Sequence, residues 1–247
     1  DYQRRVVDEE FDQLLSELSA IALEGPRGVG KTATAERRAR TVYYLDDPSQ
    51  RELASADPAL VLSGDPPVLI DEWQREPAVW DAVRRAVDRG SEAGQFLLTG
   101  SAGPSTPPSH SGAGRIVTLR MRPMSLFERG VGEPTVGLAE LLTGAREPAS
   151  GRTDVALPDY VEELVRSGYP GIRGLTGRAL RRQLDGYLRR IIDTDFREQG
   201  YAVRKPEVLT RWLEAYAAAT ATTASFEKIR DAATGGIADK PAKTTTQ

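Results

Sequence analysis

Eight residues, Gly25-Pro26-Arg27-Gly28-Val29-Gly30-Lys31-Thr32, restrict the fold of this chain more than any other stretch. They fit G-x-x-x-x-G-K-[ST], the phosphate-binding P-loop or Walker A motif, which works only between a buried strand and a helix. Both flanks are present. Ala20-Ile21-Ala22-Leu23 is a short apolar run suited to a buried parallel strand, and residues 33–40 are rich in helix formers. Glycines at 25, 28 and 30 have no Cβ to hold the backbone away from a phosphate. The loop N–H groups then face inward as an anion nest, and the positive end of the next helix adds to their field. Lys31 would reach the β- and γ-phosphates, and the Thr32 hydroxyl would ligate Mg²⁺. The expected contacts to a nucleotide are therefore Gly25, Pro26, Arg27, Gly28, Val29, Gly30, Lys31, Thr32 and Ala33. A plain glycine-rich turn before a helix is the weaker reading, because the motif, the strand and the helix coincide.

A second stretch answers the first. In Pro66-Pro67-Val68-Leu69-Ile70-Asp71-Glu72 an apolar strand ends in two carboxylates, the Walker B pattern. At the carboxyl end of a parallel strand Asp71 lies on the ligand-binding edge of the sheet, where it would hold Mg²⁺ through water. Glu72 would polarise the attacking water. Gln95-Phe96-Leu97-Leu98-Thr99-Gly100-Ser101 is a further buried strand ending at the same edge, and Thr99 or Ser101 would sense the γ-phosphate there. Arg115, at the start of a last strand over 114–123, is a candidate for contact with phosphate, including that of a neighbouring subunit. A plain surface arginine is the competing reading.

Composition removes other classes. The 247 residues suffice for one large domain or one core plus a smaller unit. A net charge of −3 gives no global field toward nucleic acid or membrane, although a local basic face stays open. Five of the 33 basic residues are Lys and the rest are Arg. With no Cys, thiolate metal sites and disulfides are excluded. The single histidine, His110, sits in a Pro/Ser/Gly-rich loop over 102–113 and reads as solvated rather than catalytic. No stretch approaches the roughly 18 consecutive apolar residues of a membrane span, so the cytoplasm is the expected location and no membrane partner is expected. The sequence opens on Asp1 instead of Met, and residues preceding it are expected.

In chain order, residues 1–19 read as a helix beside the nucleotide site, with Val6, Val7, Phe11, Leu14, Leu15 and Leu18 on its apolar face. Thr41–Leu45 reads as a strand, and Asp47 before Pro48 caps a helix over 48–56. Residues 73–89 read as one amphipathic helix with its tryptophans in the core, and 123–128 as a short helix. The core thus spans 1–130 and a linker 131–157. A helical region covers 158–204, broken at Gly168–Gly171 and around Gly186, with a run of arginines (178, 181, 182, 189, 190) read as a solvated face. Within 205–247, helices over 206–220 and 225–233 and a glycine turn look like half of a helix-turn-helix or winged helix.

Gly25–Thr32, Leu69-Ile70-Asp71-Glu72-Trp73-Gln74, Leu97-Leu98-Thr99-Gly100-Ser101 and Arg122-Pro123-Met124-Ser125-Leu126-Phe127-Glu128 together resemble one prokaryotic family. Its members are AAA-type ATPases with a C-terminal domain of unknown function. Gly168-Tyr169-Pro170 and the segment from Tyr187 to Asp195 resemble that family's later blocks. The resemblance implies binding of ATP with Mg²⁺ by Lys31, Thr32, Asp71 and Glu72, and a chain that continues past Gln247 through the rest of the helix-turn-helix. The fold expected is a three-layer α/β P-loop NTPase sandwich with a mostly parallel sheet of about five strands, one strand lying between those of the two Walker motifs. An all-helical region with a truncated winged-helix-like end follows. Three functions compete: a Mg²⁺-dependent ATPase acting as a conformational switch, a DNA-associated regulator in which nucleotide only sets shape, and a P-loop small-molecule kinase. The last ranks lowest because Glu72 beside Asp71 already supplies a base for water. A homo-oligomer and DNA contact through the C-terminal part are the partner expectations besides ATP.

Overall fold

Short apolar strands whose side chains alternate between two faces set the layers. The structure, a computed structural model, describes residues 2–101, 111–144, 150–198, 203 and 205–235. Strands β1 (Ala20–Glu24), β2 (Thr41–Tyr44), β3 (Val68–Asp71), β4 (Phe96–Gly100) and β5 (Val117–Arg120) form one parallel sheet in the order β2-β3-β4-β1-β5. As expected, a strand, β4, separates those of the two Walker motifs.

On one face Ile21, Leu23, Leu69 and Leu97 pack with Phe11 of α1 (Val7–Leu15) and Ala35 of α2 (Lys31–Glu36). On the other, Ala20, Ala22, Val68, Ile70, Phe96 and Leu98 meet Ala54 of α3 (Pro48–Ala56) and Val79, Trp80 and Val83 of α4 (Ala78–Asp88). The odd and even positions of every central strand thus enter different cores, as a period of two requires when a parallel sheet is covered on both sides. Trp73 and Trp80 pack against each other in the second core, their rings tilted by 35° with centroids 4.5 Å apart. Asp47 caps α3, its Oδ1 accepting from the Ser49 N–H at 2.8 Å.

Several boundaries differ from expectation. Helix α1 covers only 7–15, and Val6 points outward at 63% exposure. Helix α2 begins at Lys31 and ends at Glu36. The expected helix over 73–89 is a 3₁₀ turn at Trp73–Arg75 followed by α4, because Pro77 has no N–H to continue the first turn. Residues 123–128 form no helix. The Glu128 carboxylate instead accepts from the N–H and hydroxyl of Ser125, closing a turn at 2.6 and 3.0 Å.

Beyond β5 come α5 (Leu138–Leu142), α6 (Leu157–Arg166), α7 (Pro170–Arg173) and α8 (Gly177–Arg190). Helix α8 runs through Gly186 without the expected break and passes into a π-helical stretch, Ile191–Asp195, and α9 (Phe196–Glu198). Helices α10 (Pro206–Ala218) and α11 (Phe226–Ala233) pack together, but Tyr216, expected inside, is 46% exposed and stacks on Trp212. The arginines on α8 are exposed. His110, with 102–109 of its loop, and the segment from 236 that would complete a helix-turn-helix lie outside the described residues. The chain divides into two compact units between Arg182 and Gln183. Among the described residues no helix is long and apolar enough to cross a membrane.

Candidate functional site

The site lies at the carboxyl ends of β1, β3 and β4. The chain leaves β1 at Glu24 and passes beneath the Met121 carbonyl. A Cβ on Gly25 would overlap that oxygen, so only glycine fits. Gly30, at φ 104°, sits where α2 begins, a backbone conformation that a larger residue would strain. The loop closes with Lys31 on the first turn of α2, and Lys31 is only 5% exposed.

The Lys31 ammonium turns back along the loop. It donates to the carbonyls of Gly25 at 2.9 Å and Pro26 at 3.1 Å, and to Ser101 Oγ at 3.0 Å. Burial holds its pKa below that of an ordinary lysine, an effect opposed by the nearby Glu72 and Asp71 carboxylates and assisted by Arg27. The Ser101 hydroxyl in turn donates to Glu72 Oε1 at 3.1 Å. A continuous chain therefore joins Lys31, Ser101 and Glu72. The other Glu72 oxygen, Oε2, accepts from Gln74 Nε2 at 2.6 Å. Glu72 itself stands at φ 56°, in the left-handed region, where the strand turns into the Trp73–Arg75 turn.

Asp71 is in register with Thr99 on β4. Its Oδ1 accepts from the Thr99 hydroxyl and, at 2.8 Å, from the Thr32 hydroxyl. Burial pushes its carboxyl above the usual carboxylate range. The two hydroxyls pull the other way, and Glu72 and Asp46 add to the rise.

These residues close a cavity of about 290 Å³ that Arg27, Gly28, Gly30, Lys31, Thr32, Ala33, Glu72 and Ser101 line, together with Pro170 and Gly171 of α7. Most residues expected at the site are thus brought together. Val29 faces the core, and its carbonyl accepts from Arg5. Arg115 is not among them. Since β5 is parallel to β1, its start lies at the opposite edge of the sheet, where Arg115 pairs with Asp88 at 2.7 Å.

Sequence reasoning missed four residues. Pro170 and Gly171 were legible only as a helix break, and Pro170 also as part of a family block. Gln74 carried no signal beyond its place in Asp71-Glu72-Trp73-Gln74. Nothing local marked Arg5, whose 5% exposure depends on a partner 123 positions away, Glu128.

The donor set suits Mg²⁺ beside a triphosphate. One buried carboxylate and one hydroxyl are already in contact, and a metal that keeps waters and phosphate oxygens needs few protein ligands. Among the described residues no group of three or more His, Cys, Asp or Glu stands ready for a metal. A parallel sheet with a glycine loop between its first strand and helix, and an acid at the end of the strand one place removed from that first strand, defines the P-loop NTPase class. Residues 18–129 match the family described as "AAA domain".

The uncharacterised proteins Rv2008c of Mycobacterium tuberculosis and Mb2031c of Mycobacterium bovis are each 29% identical over 134 residues, 52% of this chain and 30% of theirs. The chain therefore spans under a third of these curated relatives. Among solved structures, AMPPCP-bound DnaA from Aquifex aeolicus is similar at a TM-score of 0.39 and 16% identity, over 98% of this chain and 83% of that one. The replication initiator DnaA bound to AMPPCP and single-stranded DNA gives 0.38 and 17%, over 92% and 81%.

Proposed function

We propose that the chain binds ATP with Mg²⁺ and hydrolyses it as a nucleotide-driven conformational switch. The observation that carries this reading is the convergence, in one cavity, of Lys31, Thr32, Glu72 and Ser101 with Asp71 directly behind Thr32. They come from the ends of three different strands. Thr32 and Asp71 would hold the Mg²⁺, which supplies charge neutralisation between the phosphates. Lys31 would exchange its two loop carbonyls for phosphate oxygens, and charge-assisted hydrogen bonds of that kind are worth roughly 1.5–3 kcal/mol. Once Lys31 lets go of Ser101, that hydroxyl is free for the γ-phosphate and loses its hold on Glu72. Glu72 then becomes available to orient water. Pro170 and Gly171 line the same cavity, so a ligand there touches α7 directly. This contact would pass the nucleotide state to the helical segment.

Calorimetry of MgATP against the full chain tests the reading. Wild type binds, and Lys31→Ala weakens binding more than about tenfold, equivalent to roughly 1.4 kcal/mol or more. Glu72→Gln keeps binding and loses phosphate release. Equal affinity in wild type and Lys31→Ala would remove the proposal.

A further inference from the structure

A second cavity, of about 360 Å³, opens beside the first at the carboxyl ends of β4, β1 and β5. Its floor follows from strand register. Glu24 is paired with Gly100 on one side and with Arg120 on the other. Alternation turns all three toward the face opposite Leu23, Leu97 and Leu119. Across three adjacent strands the row therefore reads glycine, carboxylate, guanidinium. Arg122 adds a second guanidinium to the lining.

Directly opposed acid and base side chains in a sheet attract each other. Here they remain apart. Among the described residues no hydrogen bond or ion pair involves the side chain of Glu24, Arg120 or Arg122. The wall behind Gly100 is also unsatisfied. A Cβ on Gly100 would stand 2.8 Å from both Trp73 Nε1 and Gln74 Oε1, and these buried atoms, a donor and an acceptor, have no partner. Trp73 is 4% exposed.

We propose that this cavity binds a small zwitterion, a free amino acid or a molecule of that size and charge pattern. Its ammonium group faces Glu24 and its carboxylate faces Arg120 and Arg122. A simple anion would meet the Glu24 carboxylate and a simple cation the two guanidinium groups, so a ligand carrying both charges fits best. Guanidinium groups favour carboxylates because parallel N–H donors match the two oxygens. The volume lies within the range of small-ligand sites. Ser101 lines both cavities. An occupant that engages its hydroxyl competes with Lys31 and Glu72 for it and so alters nucleotide affinity. That coupling rests on the proposed nucleotide site, whereas the binding itself does not.

The test titrates the full chain, without nucleotide, with each of the standard L-amino acids by calorimetry. At least one binds wild type, and Glu24→Gln and Arg120→Ala each weaken it about tenfold or more, with MgATP affinity and melting temperature unchanged. No heat from any amino acid, or equal affinity in both variants, overturns the proposal. A second arm repeats the MgATP titration with the bound amino acid present. A changed Kd supports the coupling through Ser101, and an unchanged one discards it. Failure of MgATP to bind under any condition defeats the nucleotide reading, while the amino-acid titration still decides this cavity.

Discussion

Arg5 and Glu128 hold the phosphate loop from behind. Arg5 Nε donates to Glu128 Oε1 at 2.9 Å, Nη1 to the Val29 carbonyl at 2.8 Å and Nη2 to the Arg122 carbonyl at 2.7 Å. Burial alone would raise the Glu128 pKa. The N–H groups of Val6 and Ser125 and the Arg5 guanidinium outweigh burial and hold it below the ordinary glutamate value of 4.5. Because the folded-state pKa is depressed, this stability is present above 4.5 and disappears as pH falls through the folded pKa. Glu128→Gln is therefore expected to cost roughly 3 kcal/mol at pH 7, since it leaves Arg5 buried without its counter-charge. The gap from wild type should narrow toward pH 4, as urea midpoints at the two pH values will show. Asp71 has the opposite sign. Its raised pKa means the folded state holds the proton more tightly, so ionisation costs stability as pH rises through and above 3.8. Asp71→Asn is expected to raise the urea midpoint at neutral pH and to abolish Mg²⁺-dependent nucleotide binding. A lower midpoint would show that the charged form is stabilised overall.

At the scale of elements, local signals were read well where they coincided with a cap or a strict period. The Asp47-Pro48 start of α3 and the alternating strands are such cases. They failed where one residue carried the inference. Gly186 looked like a helix break, yet α8 passes through it because its neighbours favour helix and glycine costs only about 1 kcal/mol relative to alanine. A Cβ there meets nothing within 4 Å. Gly186→Ala should stabilise the chain by roughly 0.5–1 kcal/mol in urea unfolding, without steric penalty. The turn at 123–128 fails as a helix for a different reason. Its Glu128 is committed to Ser125 and also to Val6 and Arg5, and these last two are contacts from the far N-terminus that no window of sequence contains.

At the scale of the whole molecule, the chain divides into two compact units, and the candidate site belongs wholly to the first. Trp73 and Trp80 report on that unit, and Trp212 on the second. In Trp212→Phe, where fluorescence follows the first unit alone, MgATP at a hundredfold excess over its Kd should add about 2.7 kcal/mol to that transition. An unmoved transition would place nucleotide binding elsewhere or nowhere. The sequence by itself determined the parallel sheet, the loop between β1 and α2, and the pairing of Lys31 and Thr32 with Asp71 and Glu72. Glycine spacing, apolar runs and strand-end acids are local, and each has one physical use. Only the tertiary structure decided which remote groups share that edge. Parallel direction carried Arg115 to the opposite edge and Arg120 to this one. Packing brought Arg5 and Pro170 to the site, because side chains far apart in sequence meet only once the layers have closed.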